Sequence, residues 1–179
     1  MLEIGHGRQG ATSDGKPVAL AVGSAQRLTQ IAGWGDFEPL ASALLGALGL
    51  TFPASYGRAT VSGPARAFRI APDRLLVQST EPLNLPSTNG LAVLDLTHAR
   101  LSLRVSGPGA AGLLARAAAI DFSQKAFATG TFVQTAIHSI AVLIQRPEAE
   151  AFELFVPGTW AQSVFEFLTG HLLQTEAAH

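Results

Sequence analysis

The sequence predicts an α+β fold: a mostly antiparallel sheet with helices packed on it, assembled from a duplicated strand-helix-strand-strand unit. Three observations carry this expectation. The stretch ARLSLRVSG alternates, with Leu101, Leu103 and Val105 on one face and Arg100, Ser102, Arg104 and Ser106 on the other. That period of two describes a half-buried strand, whereas a strand in a parallel sheet covered on both sides reads as a continuous apolar run. Helical spacing recurs in short segments that follow strands, most clearly in TWAQSVFEFLTGHLL. Finally, QIAGWGDFEPLASALLGALGLTF and RVSGPGAAGLLARAAAIDF run through the same order of strand, glycine turn, helix and apolar-aromatic exit, and each precedes a strand pair. Helices segregated against an antiparallel sheet define the α+β class.

Residues 1–26 are rich in glycine and polar residues around one apolar patch, Val18 to Val22, and read as a flexible or partner-docked tail. The folded part is expected over residues 27–179 as a single domain of two similar halves, 27–80 and 91–172. RLTQIAGW reads as a strand. Asp36 can cap the helix that follows, with Leu40, Leu44, Leu45 and Leu48 at helical spacing and Gly49 at its stop. TFPASYGRATVSGPARA is broken into loops and short strands by Pro53, Gly57, Gly63 and Pro64. AFRIAPDRLLVQST reads as two strands joined at Ala71-Pro72-Asp73, and EPLNLPSTNG as a linker. The second half opens with the short strand LAVLDL and then the alternating strand. A helix follows in PGAAGLLARAAAI, with Ser106 or Gly107 as its cap and Pro108 at its first position. TFVQTAIHSIAVLIQR reads as a hairpin around His138-Ser139, with Glu148 and Glu150 in a solvated turn beyond it. A strand in EAFELFVPG leads to the closing helix, with Trp160, Val164, Phe167, Leu168 and Leu172 near helical spacing.

Composition narrows the function classes. A chain of 179 residues that is 47% hydrophobic and 14% charged is globular and can bury a core without staples. A net charge of −1 leaves no basic excess for a phosphate backbone, so no nucleic-acid partner is expected. Ten of the twelve basic residues are Arg, which suits fixed ion pairs and interfaces. There is no cysteine, hence no disulfide, thiol chemistry or Cys-ligated zinc in this chain. The first residues lack a signal-peptide core, and no apolar run approaches the roughly 20 residues that span a bilayer. A cytoplasmic protein without membrane contact is the expectation. Low charge with high apolar content points to a buried interface, and Trp34, Trp160 and Tyr56 are candidate anchors if they are not core residues.

Gly107-Pro108-Gly109-Ala110-Ala111-Gly112 fits the glycine pattern of a dinucleotide-binding loop, but its context does not. The strand before it alternates, and no acid stands about 20 residues on to hold a ribose. Pro108 removes a backbone donor from the turn. The same Val-Ser-Gly-Pro tetrapeptide occurs at residues 61–64 without a helical pattern after it. The loop therefore reads as a strand turning into a helix. His6, His98, His138, His171 and His179 show no metal-ligand spacing, so no metal site is expected. Asp95, Thr97 and His98 are placed to form a hydrogen-bonded group at a strand end, and Asp121 to end a helix.

LDLTHARLSLRVSGPGAAGLLARAAAIDF resembles the segment of aminomethyltransferase-like proteins in which an aspartate, a small residue, Ser/Thr and His lead into a strand, a Ser-Gly turn and a helix. FRIAPDRLLVQ, FATGTFVQTAIHSIAVLIQR and FELFVPGTWAQSVFEFL are similar, in order and spacing, to the gamma-subunit family of heterotetrameric sarcosine oxidase. The resemblance covers roughly residues 27 to 170. It implies a fold similar to a folate-binding aminomethyltransferase-type domain. It also implies a non-catalytic structural subunit of a complex that oxidatively demethylates sarcosine to glycine. The implied partners are alpha, beta and delta subunits, with FAD, FMN, NAD, tetrahydrofolate and zinc in those subunits and no cofactor in this chain. A working aminomethyltransferase carries acids in its central hairpin, to steer a cationic adduct and move its proton. Here that hairpin is Ala136-Ile137-His138-Ser139-Ile140, without an acid. The resemblance therefore implies no catalytic residue. A folate-binding or aminomethyltransferase-like domain that stands alone is the alternative, with Asp95, His98 and Arg100 lining a pocket. A free-standing interaction or regulatory module is the third reading.

Overall fold

The computed structural model describes residues 7–24, 26–83 and 85–173. The chain divides into two compact units. A terminal unit combines Met1–Ser24 with Leu101–His179, and a central unit spans Ala25–Arg100.

β1 (Arg8–Ala11) and β2 (Pro17–Val22) come first, then β3 (Arg27–Gly33), α1 (Phe37–Gly46), β4 (Thr60–Ser62), β5 (Ala65–Ala71), β6 (Arg74–Ser79) and β7 (Leu91–Asp95). The central sheet has the order β4-β5-β6-β3-β7, and its neighbours pair antiparallel. Ile31, Ala65, Ala67, Leu75, Val77 and Leu91 meet Phe37, Ala41 and Leu45 of α1 in one core. Phe68 and Leu76, cross-strand partners of opposite parity, are also buried.

Two expectations for α1 are corrected. Asp36 stands at the N-cap, but its side chain makes no capping hydrogen bond. The inward row is Phe37-Ala41-Leu45, four residues apart, so Leu40 faces outward at 37% exposure. The leucine count favoured Leu40, whereas the sheet takes the aromatic Phe37, which offers more area to bury. The stop at Gly49 is as expected. Its φ of +69° turns the chain, with Leu50 N–H on the Leu45 carbonyl and Gly49 N–H on that of Gly46.

The terminal unit adds β8 (Arg100–Ser106), α2 (Ala110–Ala117), β9 (Phe132–Ile137), β10 (Ile140–Glu148), β11 (Ala151–Pro157), a single 3-10 turn at Gly158–Trp160 and α3 (Ala161–Thr169). Its sheet order is β1-β2-β8-β11-β10-β9. Val18, Leu20, Leu103, Val105, Leu113, Ile144, Phe152, Leu154, Val164 and Leu168 belong to its core.

Residues 8–22 are therefore not a tail. β2 pairs antiparallel with β8, from Ala19 opposite Ser106 to Val22 opposite Leu103. Val18 and Leu20 are buried in the core. The alternation PVALAV carries that strand, and the Gly- and Ser-rich flanks hid it. Residues 1–6 of the expected tail lie outside the described residues. The boundary between the halves also moves. β7 pairs with β3, from Thr29 opposite Asp95 to Gly33 opposite Leu91, so LAVLDL completes the first sheet rather than opening the second.

The duplication is visible in the topology. β3-α1-β4-β5-β6 and β8-α2-β9-β10-β11 follow the same order, with sheet orders β4-β5-β6-β3 and β9-β10-β11-β8. Beside β3 lies β7, which directly precedes β8 in the chain. Beside β8 lies β2, which directly precedes β3. Each repeat thus begins with a strand that completes the sheet of the other.

Candidate functional site

The glycine loop between β8 and α2 is filled by the chain itself. Gly107 N–H donates to the Glu150 carbonyl at 2.8 Å, and Gly109 N–H to the Pro17 carbonyl at 3.1 Å. Those are the donors a phosphate would need. A Cβ on Gly107, whose φ is +108°, would stand 2.7 Å from the Pro17 carbonyl oxygen. One on Gly109 would meet the Lys16 carbonyl oxygen and Val18 Cγ2, each at 2.7 Å. The space a pyrophosphate would take is occupied by the start of β2. A Cβ on Gly112 would meet nothing within 4 Å, so the third glycine answers no packing need. The helix starts later than expected: Gly109 is its N-cap, and Pro108 lies in the preceding turn. A cleft of about 310 Å³ opens beside this loop, lined by Gln9, Pro17, Val18, Ser106 and Gly107 among others, with no ionisable side chain on its walls.

The β9–β10 hairpin forms as expected. His138 and Ser139 make its two-residue turn with φ of 46° and 67°, left-handed at both positions as such turns require. The His138 ring packs on Phe167 of α3 at 5.0 Å between centroids, and Phe167 in turn meets His171 at 4.7 Å. His138 is thus an exposed packing residue at a turn.

Asp95, His98 and Arg100 surround the link from β7 to β8. Asp95 Oδ1 accepts the Thr97 N–H at 2.8 Å, and Thr97 Oγ1 accepts the Leu28 N–H at 3.2 Å. The hydrogen bonds from Thr97 hold the Asp95 carboxyl below the usual carboxylate range, with His98 and Arg27 adding positive charge nearby. Asp95 and His98 are brought together and both are exposed. Arg100 is partly buried, and desolvation lowers its guanidinium pKa. Among the described residues no hydrogen bond joins Arg100 to the other two. The group shapes a strand end. Asp121 does likewise at the exit of α2, accepting the Ser123 N–H at 2.8 Å.

Two buried charged residues escaped the sequence reading. Arg146, 5% exposed, donates to the carbonyls of Phe122 at 3.0 Å and Phe127 at 2.8 Å, and to that of Ala149, with its guanidinium 4.8 Å over Phe152. Burial lowers its pKa. It ties the loop after α2 to the turn after β10. Glu153, 6% exposed, accepts Ser102 Oγ at 2.6 Å on Oε1 and Gln145 Nε2 at 2.6 Å on Oε2, which links β8, β10 and β11. An acid between Phe152 and Leu154 in an apolar strand was the available signal. Among the described residues, no group of three or more His, Asp or Glu is placed to hold a metal ion.

No profile of a known protein family matches the chain. It is 27% identical over 146 residues to the sarcosine oxidase subunit gamma of Corynebacterium sp. (strain U-96), a match that spans 76% of this chain and 71% of that one. The chain is thus similar to that gamma subunit along most of both sequences. It superposes with a TM-score of 0.82 and 20% identity on a chain of the heterotetrameric sarcosine oxidase of Corynebacterium sp. U-96, covering 95% of this chain and 90% of that one. It also matches the glycine cleavage system aminomethyltransferase T of Bartonella henselae, with a TM-score of 0.57 and 19% identity. That second likeness covers 84% of this chain but 45% of the transferase, and it shows a shared fold. The folate-binding-like α+β architecture expected from the sequence is the one observed. Trp34, Trp160 and Tyr56, the expected anchors, are 64%, 54% and 50% exposed, so none is a core residue. No helix among the described residues is long and apolar enough to cross a membrane.

Proposed function

We propose that this chain is the gamma-type structural subunit of a sarcosine oxidase complex that oxidatively demethylates sarcosine to glycine, and that it contributes surface rather than chemistry. The observation that carries the reading is its relationship to a protein named as that subunit, along most of both chains. The local chemistry supports it. The amides of the glycine loop are spent on Glu150 and Pro17, Asp95 is engaged by its own loop, and the hairpin turn is His138-Ser139 with no carboxylate. In this reading FAD, FMN, NAD, tetrahydrofolate and zinc reside in alpha, beta and delta partners in the cytoplasm. Asp95, His98 and Arg100 shape a link between strands and hold no folate. The exposed Trp34, Tyr56 and Trp160 are the aromatic contacts expected of a subunit surface.

Affinity purification of the chain at native level from its own cells tests this. The expected eluate is yellow and contains two larger polypeptides and a small zinc-binding one. A colourless eluate holding this chain alone contradicts it, and saturable tetrahydrofolate binding by that pure chain would establish the folate-binding alternative.

A further inference from the structure

Two places in the chain put an Asp or Asn directly before a glycine, Asp14-Gly15 and Asn89-Gly90. Glycine has no Cβ to shield its amide nitrogen. That nitrogen can reach the Cγ of the preceding side chain and close a five-membered ring. Both glycines turn the chain with positive φ, +77° at Gly15 and +92° at Gly90. The two sites differ in what surrounds the reacting groups. Gly15 N–H donates to the Thr12 carbonyl at 2.8 Å. The Asp14 carboxylate accepts from Thr12 Oγ1 and pairs with Lys16 Nζ at 2.9 Å. Those bonds keep it ionised, with a pKa lowered to about 2, and an ionised carboxylate resists attack by a nucleophile. Asn89 is exposed and carries a neutral amide. Among the described residues its side chain makes no hydrogen bond, and Gly90 N–H donates to no acceptor. The turn is held outside the reacting pair, by Leu91 N–H on the Thr88 carbonyl at 3.0 Å and Trp34 N–H on the Gly90 carbonyl at 3.2 Å. A Cβ on Gly90 would stand 2.9 Å from Leu40 Cδ1. The packing that requires glycine here therefore also leaves its nitrogen uncovered.

We propose that Asn89 is a self-modification site, which the folded chain converts to aspartate and isoaspartate with water as the co-reactant. Hydroxide takes the Gly90 N–H proton, and the nitrogen attacks Asn89 Cγ. A Cγ–N bond to Gly90 forms, the bond to the side-chain nitrogen breaks, and ammonia leaves a succinimide. Water then opens the ring. Attack at Cγ restores the ordinary backbone with an aspartate. Attack at the main-chain carbonyl of residue 89 gives isoaspartate, whose backbone runs through the side chain. Nothing is oxidised or reduced, and each product carries a new negative charge. Isoaspartate lengthens the main chain by one methylene inside a closely packed turn. The Gly90 carbonyl oxygen lies 2.9 Å from where a Cβ on Gly33 would stand, and Leu91 enters the core at 2% exposure. The added atom displaces the Thr88–Leu91 or the Trp34–Gly90 hydrogen bond and loosens the start of β7. The chemistry belongs to this chain alone and stands apart from the gamma-type reading.

The test incubates the purified full chain in neutral and mildly alkaline buffer, native and in urea. Isoaspartate is labelled with an isoaspartyl methyltransferase, and tryptic peptides are mapped by mass spectrometry. Peptide 75–100 carries both asparagines of the chain, Asn84 and Asn89, and peptide 9–27 carries Asp14. Asn84 precedes Leu85, whose side chain hinders ring closure, so it serves as a control inside the same peptide. In the native chain, Asn89 is expected to convert at least tenfold faster than Asn84 or Asp14, and faster still in alkaline buffer. Asn89→Gln is expected to remove the label and to keep the melting temperature of the fresh chain on ageing, while the aged unaltered chain melts lower. In urea Asp14 is expected to gain label as its hydrogen bonds are lost. An Asn89 that stays intact in the native chain and converts only in urea overturns the proposal. So does conversion at Asn84 or Asp14 at the rate of Asn89, a comparison that needs no variant to fold.

Discussion

The two units share an order of elements but differ in what they bury. Among the described residues, nineteen buried ones form one core in the terminal unit, sealed by α2 and by α3, whose Val164, Phe165 and Leu168 point inward. In the central unit ten buried residues lie under the single helix α1. The exposed large apolar side chains divide the other way. Trp34, Leu40, Tyr56, Val61 and Leu94 belong to the central unit, and Val22, Trp160 and Leu173 to the terminal one. A duplicated fold has thus specialised, one copy toward a self-contained core and the other toward apolar surface. Under the proposed function, the exposed apolar side chains of the central unit are the first candidates for a partner surface.

The largest test of this contrast is truncation within each core. Phe152 packs edge-on against Phe122 at 5.6 Å and lies beneath Arg146. Phe152→Ala is expected to cost about 3–5 kcal/mol in chemical denaturation. Phe37→Ala, in the smaller core and 5% exposed, is expected to cost about 1 kcal/mol less. Equal losses would break the contrast. Arg146→Ala is next, at about 2–3 kcal/mol, because three carbonyls lose a buried donor; Lys would restore only part of this, having no fork to reach all three.

The glycine loop gives a sharper test within four residues. Gly109→Ala drives a methyl group into the Lys16 carbonyl and Val18 and is expected to cost about 2 kcal/mol. Gly112→Ala meets open space inside α2 and is expected to stabilise by about 0.5–1 kcal/mol. A phosphate-binding loop would instead show a lost ligand in both variants. The smallest effect is electrostatic. Asp14 sits in the turn between β1 and β2, where hydrogen bonds from Thr12 and Lys16 lower its pKa to about 2. Its contribution is full above its ordinary value of 3.8 and fades as pH falls toward 2. Asp14→Asn should therefore lower the melting temperature slightly at pH 7, and the difference from the unaltered chain should vanish near pH 2.

The sequence made some of this legible and hid the rest for physical reasons. The alternation of ARLSLRVSG, the hairpin at His138-Ser139 and the stop at Gly49 are local signals, and each is where it was expected. β1 and β2 escaped because two short strands gain their stability from β8, more than 80 residues away, which no local pattern reports. The partner of β7 is likewise a matter of topology: nothing local in LAVLDL tells that it pairs with β3 in the first sheet. Leu40 misled because a helix rich in leucine offers two plausible inner faces, and Phe37 decides between them only once the sheet is present. At the candidate site, residue types argued against a dinucleotide, and that β2 packs into the loop depends on the same long-range pairing. Arg146 and Glu153 were visible as charges in apolar strands, but their carbonyl and amide partners lie across turns and strands.

The most direct measurement is native mass spectrometry of the complex purified from the cells that make this chain. A single assembly is expected, with one copy each of this chain and of alpha, beta and delta polypeptides, carrying bound flavin mass that is absent from this chain once it is dissociated. A spectrum in which this chain is found alone, or only with copies of itself, would contradict the proposed function.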